Sequence, residues 1–362
     1  MKNKKSSHLP LWSTLAPILT CLLYVGIHFN LGGYYFILLT IGLVSSILAA
    51  VHQAEVVALR VGEPLGTLVL AIAITTIEVA LIVSLMLSGG KDIEILARDT
   101  IFATEMIIIN GIVGGCLLIG GIKFKEQSYK IDGVSAALTV LTAISALTLI
   151  LPNYTTSVLG PVYSESQLIF VAIVSLLLYV AFLLMQTKKH RDYFLPENAA
   201  EHEEIHENPP TNRVSMISLI FLIISLIVVV LVAKALSPSI ENGIDAVGAP
   251  KSVVGIIIAI VVLLPEALSA LKAARKNRLQ SSLNLAFGSS LASIGLTIPA
   301  VAIVSILFGL PLTLGIDLKS TVLFVLSLFV ISLSLRTGKT TSLHGVVLLV
   351  IFSVYLFTTI VP

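Results

Sequence analysis

Two glutamates stand out, because each lies alone and deep inside a long apolar run. Glu78 occurs in Thr75-Thr76-Ile77-Glu78-Val79-Ala80-Leu81, and Glu266 in Leu264-Pro265-Glu266-Ala267-Leu268. Keeping a carboxylate charged in such surroundings costs on the order of several kcal/mol. A cation arriving from water offsets that charge, and so does a proton. Cation and protons therefore compete for the same oxygens, which is the minimum that coupled exchange requires. A lone buried glutamate can equally be a protonated group hydrogen-bonded to a neighbouring helix. Two at corresponding places argue for function.

The correspondence is visible in the flanking residues. Val61-Gly62-Glu63-Pro64 precedes Glu78, and Val247-Gly248-Ala249-Pro250 precedes Glu266, with valine-to-glutamate separations of 17 and 19 residues. A hard cation needs more oxygens than two carboxylates supply, roughly six to eight for Ca²⁺. Pro265 lacks the N–H that would bond the Val261 carbonyl, so that oxygen is freed one turn from Glu266. Thr75 shares the face of Glu78 and offers a hydroxyl, or bonds back to its own helix. Ser289, Ser290 and Ser293 offer further hydroxyls, and Asn110 a side-chain carbonyl. Gly288 and Gly295 read as close-packing positions. Glu105, Glu55 (with His52 nearby) and Asn284 are candidates for the ion pathway, with packing or surface exposure as the plainer reading.

Such groups need a scaffold that holds them at membrane depth. Of 362 residues, 56% are hydrophobic and 12% charged, about half the ~25% charge of soluble proteins. Apolar runs near ~20 residues span a bilayer as helices. The sequence predicts an all-α integral membrane protein with eleven spans: 10–30, 34–58, 64–88, 98–121, 133–151, 166–186, 214–236, 251–274, 280–308, 317–336 and 342–361. With the N-terminus cytoplasmic, 17 of the 22 Lys and Arg residues fall on the inside. That bias predicts a cytoplasmic N-terminus and an external C-terminus in a bacterial inner membrane.

In this topology the two glutamate copies are inverted. The expected organisation is a tail and extra helix over 1–32, a first five-helix repeat over 33–187, a linker over 188–212 and a second repeat over 213–362. Inverted repeats of this kind are recurrent in secondary transporters, with the ion site near the midplane where the repeats meet. The linker carries Glu197, Glu201, Glu203, Glu204 and Glu207, read as a solvated tether or as a regulatory acidic patch. Cys21 and Cys116 fall inside apolar spans and read as packing residues.

Composition also limits the function classes. No basic stripe suggests nucleic acid, and no phosphate-binding glycine loop suggests an ATP-driven pump. No mid-span lysine or histidine pair suggests an intramembrane enzyme. The expected partners are lipid and inorganic cations, with homo-oligomerisation left open, and no cofactor is expected. A channel is the remaining alternative to an exchanger.

At these residues the chain resembles the calcium/cation antiporter superfamily and, within it, the bacterial calcium/proton antiporters of the ChaA type. Pro265-Glu266-Ala267, Asn277 and Gly288-Ser289-Ser290 resemble the second α-repeat, Glu78 the glutamate of the first. Arg98-Asp99-Thr100 and Gly114 with Gly120-Gly121 are similar as well. The resemblance implies exchange of cytoplasmic Ca²⁺ for protons by alternating access, with Glu78 and Glu266 as the metal-binding carboxylates. Where many relatives have Gly-Asn-x-x-Glu, this chain has Thr-Thr-Ile-Glu and Leu-Leu-Pro-Glu. The first repeat also has Ala103-Thr104 in place of Gly-Ser. With fewer amides, Na⁺ or K⁺ stands beside Ca²⁺ as the exchanged ion.

Overall fold

The computed structural model describes all residues except 1–8, 28–32, 63–64, 88–92, 196–209, 247–249, 251 and 362. The described residues form eleven helical segments, one for each predicted span. The first three are α1 (Leu11–Gly26), α2 (Gly33–Val61) and α3 (Leu65–Met86). α4 starts as Ile93–Met106, widens into a π-helical stretch at Ile107–Ile112 and finishes as Val113–Phe124. α5 runs Ile131–Ser145 and ends in a π turn (Ala146–Ile150) and a 3-10 turn (Leu151–Tyr154); α6 runs Glu165–Leu184 and closes in a π turn at Met185–Lys189. The remainder are α7 (Asn212–Ala246), α8 (Ser252–Arg275), α9 (Leu279–Phe308), α10 (Leu318–Ser334) and α11 (Ser342–Ile360).

Helix is the natural state for these runs, because lipid leaves a backbone N–H or C=O no partner except within its own segment. Eight of the helices are long and apolar enough to cross a membrane; α1, the Val69–Ser84 part of α3, and α10 are shorter apolar helices. Two of the helix starts show side-chain caps. Asp317 accepts a bond from Ser320 N at the start of α10, and Ser164 with Gln167 forms a capping box on α6. α7 runs ten residues past the predicted end at 236, through Pro238. A helix does not stop where hydrocarbon stops.

One feature is absent from the sequence reading. β1 (Glu126–Ser128) and β2 (Lys339–Thr341) form an antiparallel pair with Gln127 opposite Thr340. The pair ties the α4–α5 connection to the α10–α11 connection.

The helices divide into two compact units. One holds α1, α2, α3 and most of α7; the other holds α4 to α6 and α8 to α11. In the first, α2 packs against both α1 and α3. In the second, α4 packs against α8, α9 packs against α6 and α8, and the end of α4 packs against α11.

Candidate cation site

The second unit brings several candidate residues together on α4, α8 and α9. Gly255 on α8 lets the backbone of α4 come close: a Cβ there would stand 2.9 Å from Thr100 N. Sixteen residues further along both helices, a Cβ on Gly115 would meet Leu271 at 3.3 Å. α4 and α8 therefore run parallel and in constant register. That register sets Glu266 level with Asn110, and Val261 level with Glu105.

α9 supplies an independent check. It returns antiparallel to α8 after a turn in which Asn277 adopts φ 60°, and Ser282 Oγ donates to Ala270 O at 2.9 Å. Counting along both helices from that bond, Ser290 falls level with Val262. Ser290 Oγ in fact donates to Glu105 Oε2 at 2.5 Å. Both registers thus bring the Val261 carbonyl, Glu105 and Ser290 to one level. It lies about 7 Å from Glu266 toward the N-terminal end of α8, at 1.5 Å per residue.

Each of these side chains is withdrawn from the surface. Glu266 is 5% exposed, Ser293 5%, and Glu105, Asn110 and Ser290 are fully buried. Pro265 lies inside an unbroken α8, so the Val261 carbonyl lacks its usual helical donor while the helix continues. Glu105 is buried and accepts the bond from Ser290. Its place is mid-helix, twelve residues into α4.

Other candidates are placed differently. Asn110 sits in the π-helical stretch and donates to Ser327 Oγ on α10 at 2.9 Å and to Met106 Sδ at 3.7 Å. It therefore turns toward α10, while Glu105 turns toward α9. No pattern among the residues marked Ser327 as its partner. Asn284 donates to Phe194 O at 2.6 Å and accepts from Gln280 at 2.8 Å, so its amide fastens the segment after α6. Ser289 is half-buried. Gly295 is a close-packing position, since a Cβ would stand 2.7 Å from Tyr179 Cβ. Gly288 is not, because a Cβ there meets nothing within 4 Å. The packing role expected of it is corrected, and Gly288 borders open space beside Ser289.

In the first unit, Glu78 is 2% exposed and Thr75 6% exposed on α3. The carboxylate sits thirteen residues from the start of its helix, about 20 Å at helical rise, close to half a bilayer. Glu55 lies on α2 with its side chain half-exposed, 3.8 Å from His52. The acidic residues Glu197, Glu201, Glu203, Glu204 and Glu207 lie outside the described residues.

The profile of the family described as sodium/calcium exchanger protein matches residues 31–188 and 217–361. The chain belongs to that family. It falls within the calcium/cation antiporter superfamily, and the exchanger is a cation/proton antiporter and not an enzyme. It is 43% identical to the y4hA protein of Sinorhizobium fredii over 99% of this chain and 98% of that one. It is 36% identical to the sodium-potassium/proton antiporter ChaA of Escherichia coli over 89% of this chain and 87% of the relative. Its fold matches native YfkE with a TM-score of 0.72 at 20% identity, covering 97% of the exchanger and 99% of YfkE. YfkE is described as a Ca²⁺/H⁺ antiporter.

Proposed function

We propose that the exchanger moves Ca²⁺ out of the cytoplasm in return for protons, with Glu78 and Glu266 as the carboxylates that take either. The observation that carries this reading is the burial of one glutamate at matching depth in each copy of the repeated motif. Two carboxylates balance one divalent cation and, when it leaves, two protons. Thr75, Ser289 and Asn110 supply neutral oxygens beside the carboxylates, and the Val261 carbonyl, Ser290, Ser293 and Glu105 stand one to two turns away along the pathway. The membrane is a bacterial inner membrane, with the N-terminus cytoplasmic and the C-terminus outside by the distribution of basic residues.

A second reading has its own support. The 36% identity to a sodium-potassium/proton antiporter favours Na⁺ or K⁺ on the same carboxylates. Proteoliposomes with an acid interior and a pH dye separate the two. Proton release on Ca²⁺, suppressed by neither Na⁺ nor K⁺, supports the first; release on Na⁺ or K⁺ alone supports the second. Release with no cation overturns both.

A further inference from the structure

The C-terminal end of α6 carries a feature that the candidate site does not use. One face of this helix, with Val171, Ser175, Tyr179 and Phe182, is buried, and α6 packs on α9. On the opposite face Ile173, Leu177, Val180 and Leu184 are exposed. Their positions recur at helical spacing, so they form one apolar stripe along α6. In a membrane span such a stripe is a surface for acyl chains.

The stripe ends in positive charge. Past Leu184 the helix widens into its π turn, where His190 N donates to Met185 O at 2.9 Å. The wider turn sets Lys188 and Lys189 together at the foot of the stripe, and both are exposed. Lys188 lies about 35 Å along the helix from Glu165, past the ~30 Å of hydrocarbon and level with headgroups. Arg191 follows, exposed, on a 3-10 turn (Arg191–Tyr193). That turn is held firmly. Lys130 Nζ donates to Asp192 O at 2.7 Å, and Asn284 Nδ2 to Phe194 O at 2.6 Å. Phe194 is buried and meets Phe182 edge-on at 5.7 Å, while His190 stacks on Tyr193 at 4.7 Å. Gly133 on α5 admits the turn, since a Cβ there would stand 2.6 Å from Tyr193 O.

Lys188, Lys189 and Arg191 therefore stand on a fixed shelf, and none of them forms an ion pair among the described residues. The carboxylates beside them are Asp192 on the shelf and Asp132 in the first turn of α5, outnumbered once Lys130 is included. We propose that this end of α6 binds an anionic phospholipid. Its phosphate sits on Lys188, Lys189 and Arg191, and an acyl chain runs along Leu184, Val180 and Leu177. Free phosphate or an acidic peptide would meet the cations and leave the stripe uncovered; an amphiphile with a negative head matches both. Asn284 ties the shelf to α9, the helix that carries Ser289 and Ser290, so the bound lipid braces the contact between α6 and α9. The site does not depend on which cation is exchanged.

The test uses the full chain, purified in detergent, with phosphatidylglycerol, phosphatidylcholine or inorganic phosphate added. Melting temperature and the lipid retained in native mass spectra are read for wild type and for the triple variant Lys188→Gln, Lys189→Gln, Arg191→Gln. Wild type should retain phosphatidylglycerol and melt higher with it, and should gain nothing comparable from phosphatidylcholine or phosphate. The triple variant should bind phosphatidylglycerol on the order of a hundredfold more weakly, the loss expected of three cations near an anionic headgroup. Equal binding by the variant overturns the proposal, and so does equal protection of wild type by inorganic phosphate or phosphatidylcholine. If the variant fails to fold, salt decides with wild type alone. Phosphatidylglycerol affinity should fall as ionic strength rises, and an affinity indifferent to salt overturns the site.

Discussion

Ser290 on α9 donates its hydroxyl proton to Glu105 on α4 at 2.5 Å, joining residues 185 positions apart in a fully buried setting. This bond fastens the serine-bearing helix to the helix that runs in register with α8. Removing the donor takes one hydrogen bond from a buried carboxyl group, and a hydrogen bond of this kind contributes about 0.5–3 kcal/mol. Ser290→Ala is therefore expected to melt several degrees below wild type in detergent. An unchanged melting temperature would mean that Glu105 is held by other groups.

Two glycines give opposite expectations. At Gly255 a Cβ would stand 2.9 Å from backbone atoms of Asp99 and Thr100, and backbone cannot swing aside. Gly255→Ala should force α4 and α8 apart and cost about 1–3 kcal/mol, as overpacking does. At Gly288 the same methyl meets nothing within 4 Å, so Gly288→Ala should match or exceed wild-type stability. Comparing the two melting temperatures checks the α4–α8 register directly.

The amide of Asn110 has a fixed orientation. Ser327 gives its single proton to Leu323 O at 2.7 Å, so its oxygen only accepts from Asn110 Nδ2. Oδ1 is left buried on the other side without a hydrogen-bond partner among the described residues. Ser327→Ala should release the amide and raise the cation KM about tenfold, the lower end for loss of a supporting partner. In an Asn110→Ala background it should add nothing. Additive effects would remove Asn110 from the ligand set.

Alkaline pH supplies a fourth check. Tyr129, in the connection between β1 and α5, is 4% exposed, and burial pushes its phenol up to about 12. The folded chain thus keeps this proton after an unfolded chain releases it near ~10. The contribution to stability is complete below pH ~10 and disappears as pH rises toward the folded value. Tyr129→Phe should flatten the alkaline decline in melting temperature between those limits. A decline identical to wild type would place its cause elsewhere.

How far the sequence could be read follows from the same physics. The eleven helices were legible because hydrocarbon demands long apolar runs, and each run has its helix. Glu78 and Glu266 were legible because a carboxylate inside such a run is conspicuous. Partners were not. Apolar side chains face both lipid and neighbouring helices, so no periodicity reveals that Asn110 turns to Ser327 or that Asn284 fastens Phe194. Gly288 and Gly295 look alike in sequence, yet only Gly295 meets a neighbour, Tyr179, because that depends on the crossing of α9 with α6. The three-residue strands β1 and β2 are too short to carry an alternating pattern.

The most direct test of the account is proton release from acid-loaded proteoliposomes on addition of Ca²⁺, compared among wild type, Glu78→Gln and Glu266→Gln. Glutamine keeps the shape of each side chain and cannot bind or release a proton. Ca²⁺ should release protons in the wild type and in neither variant, with all three proteins eluting as folded species. Cation-coupled proton release at the wild-type rate in either variant would contradict it.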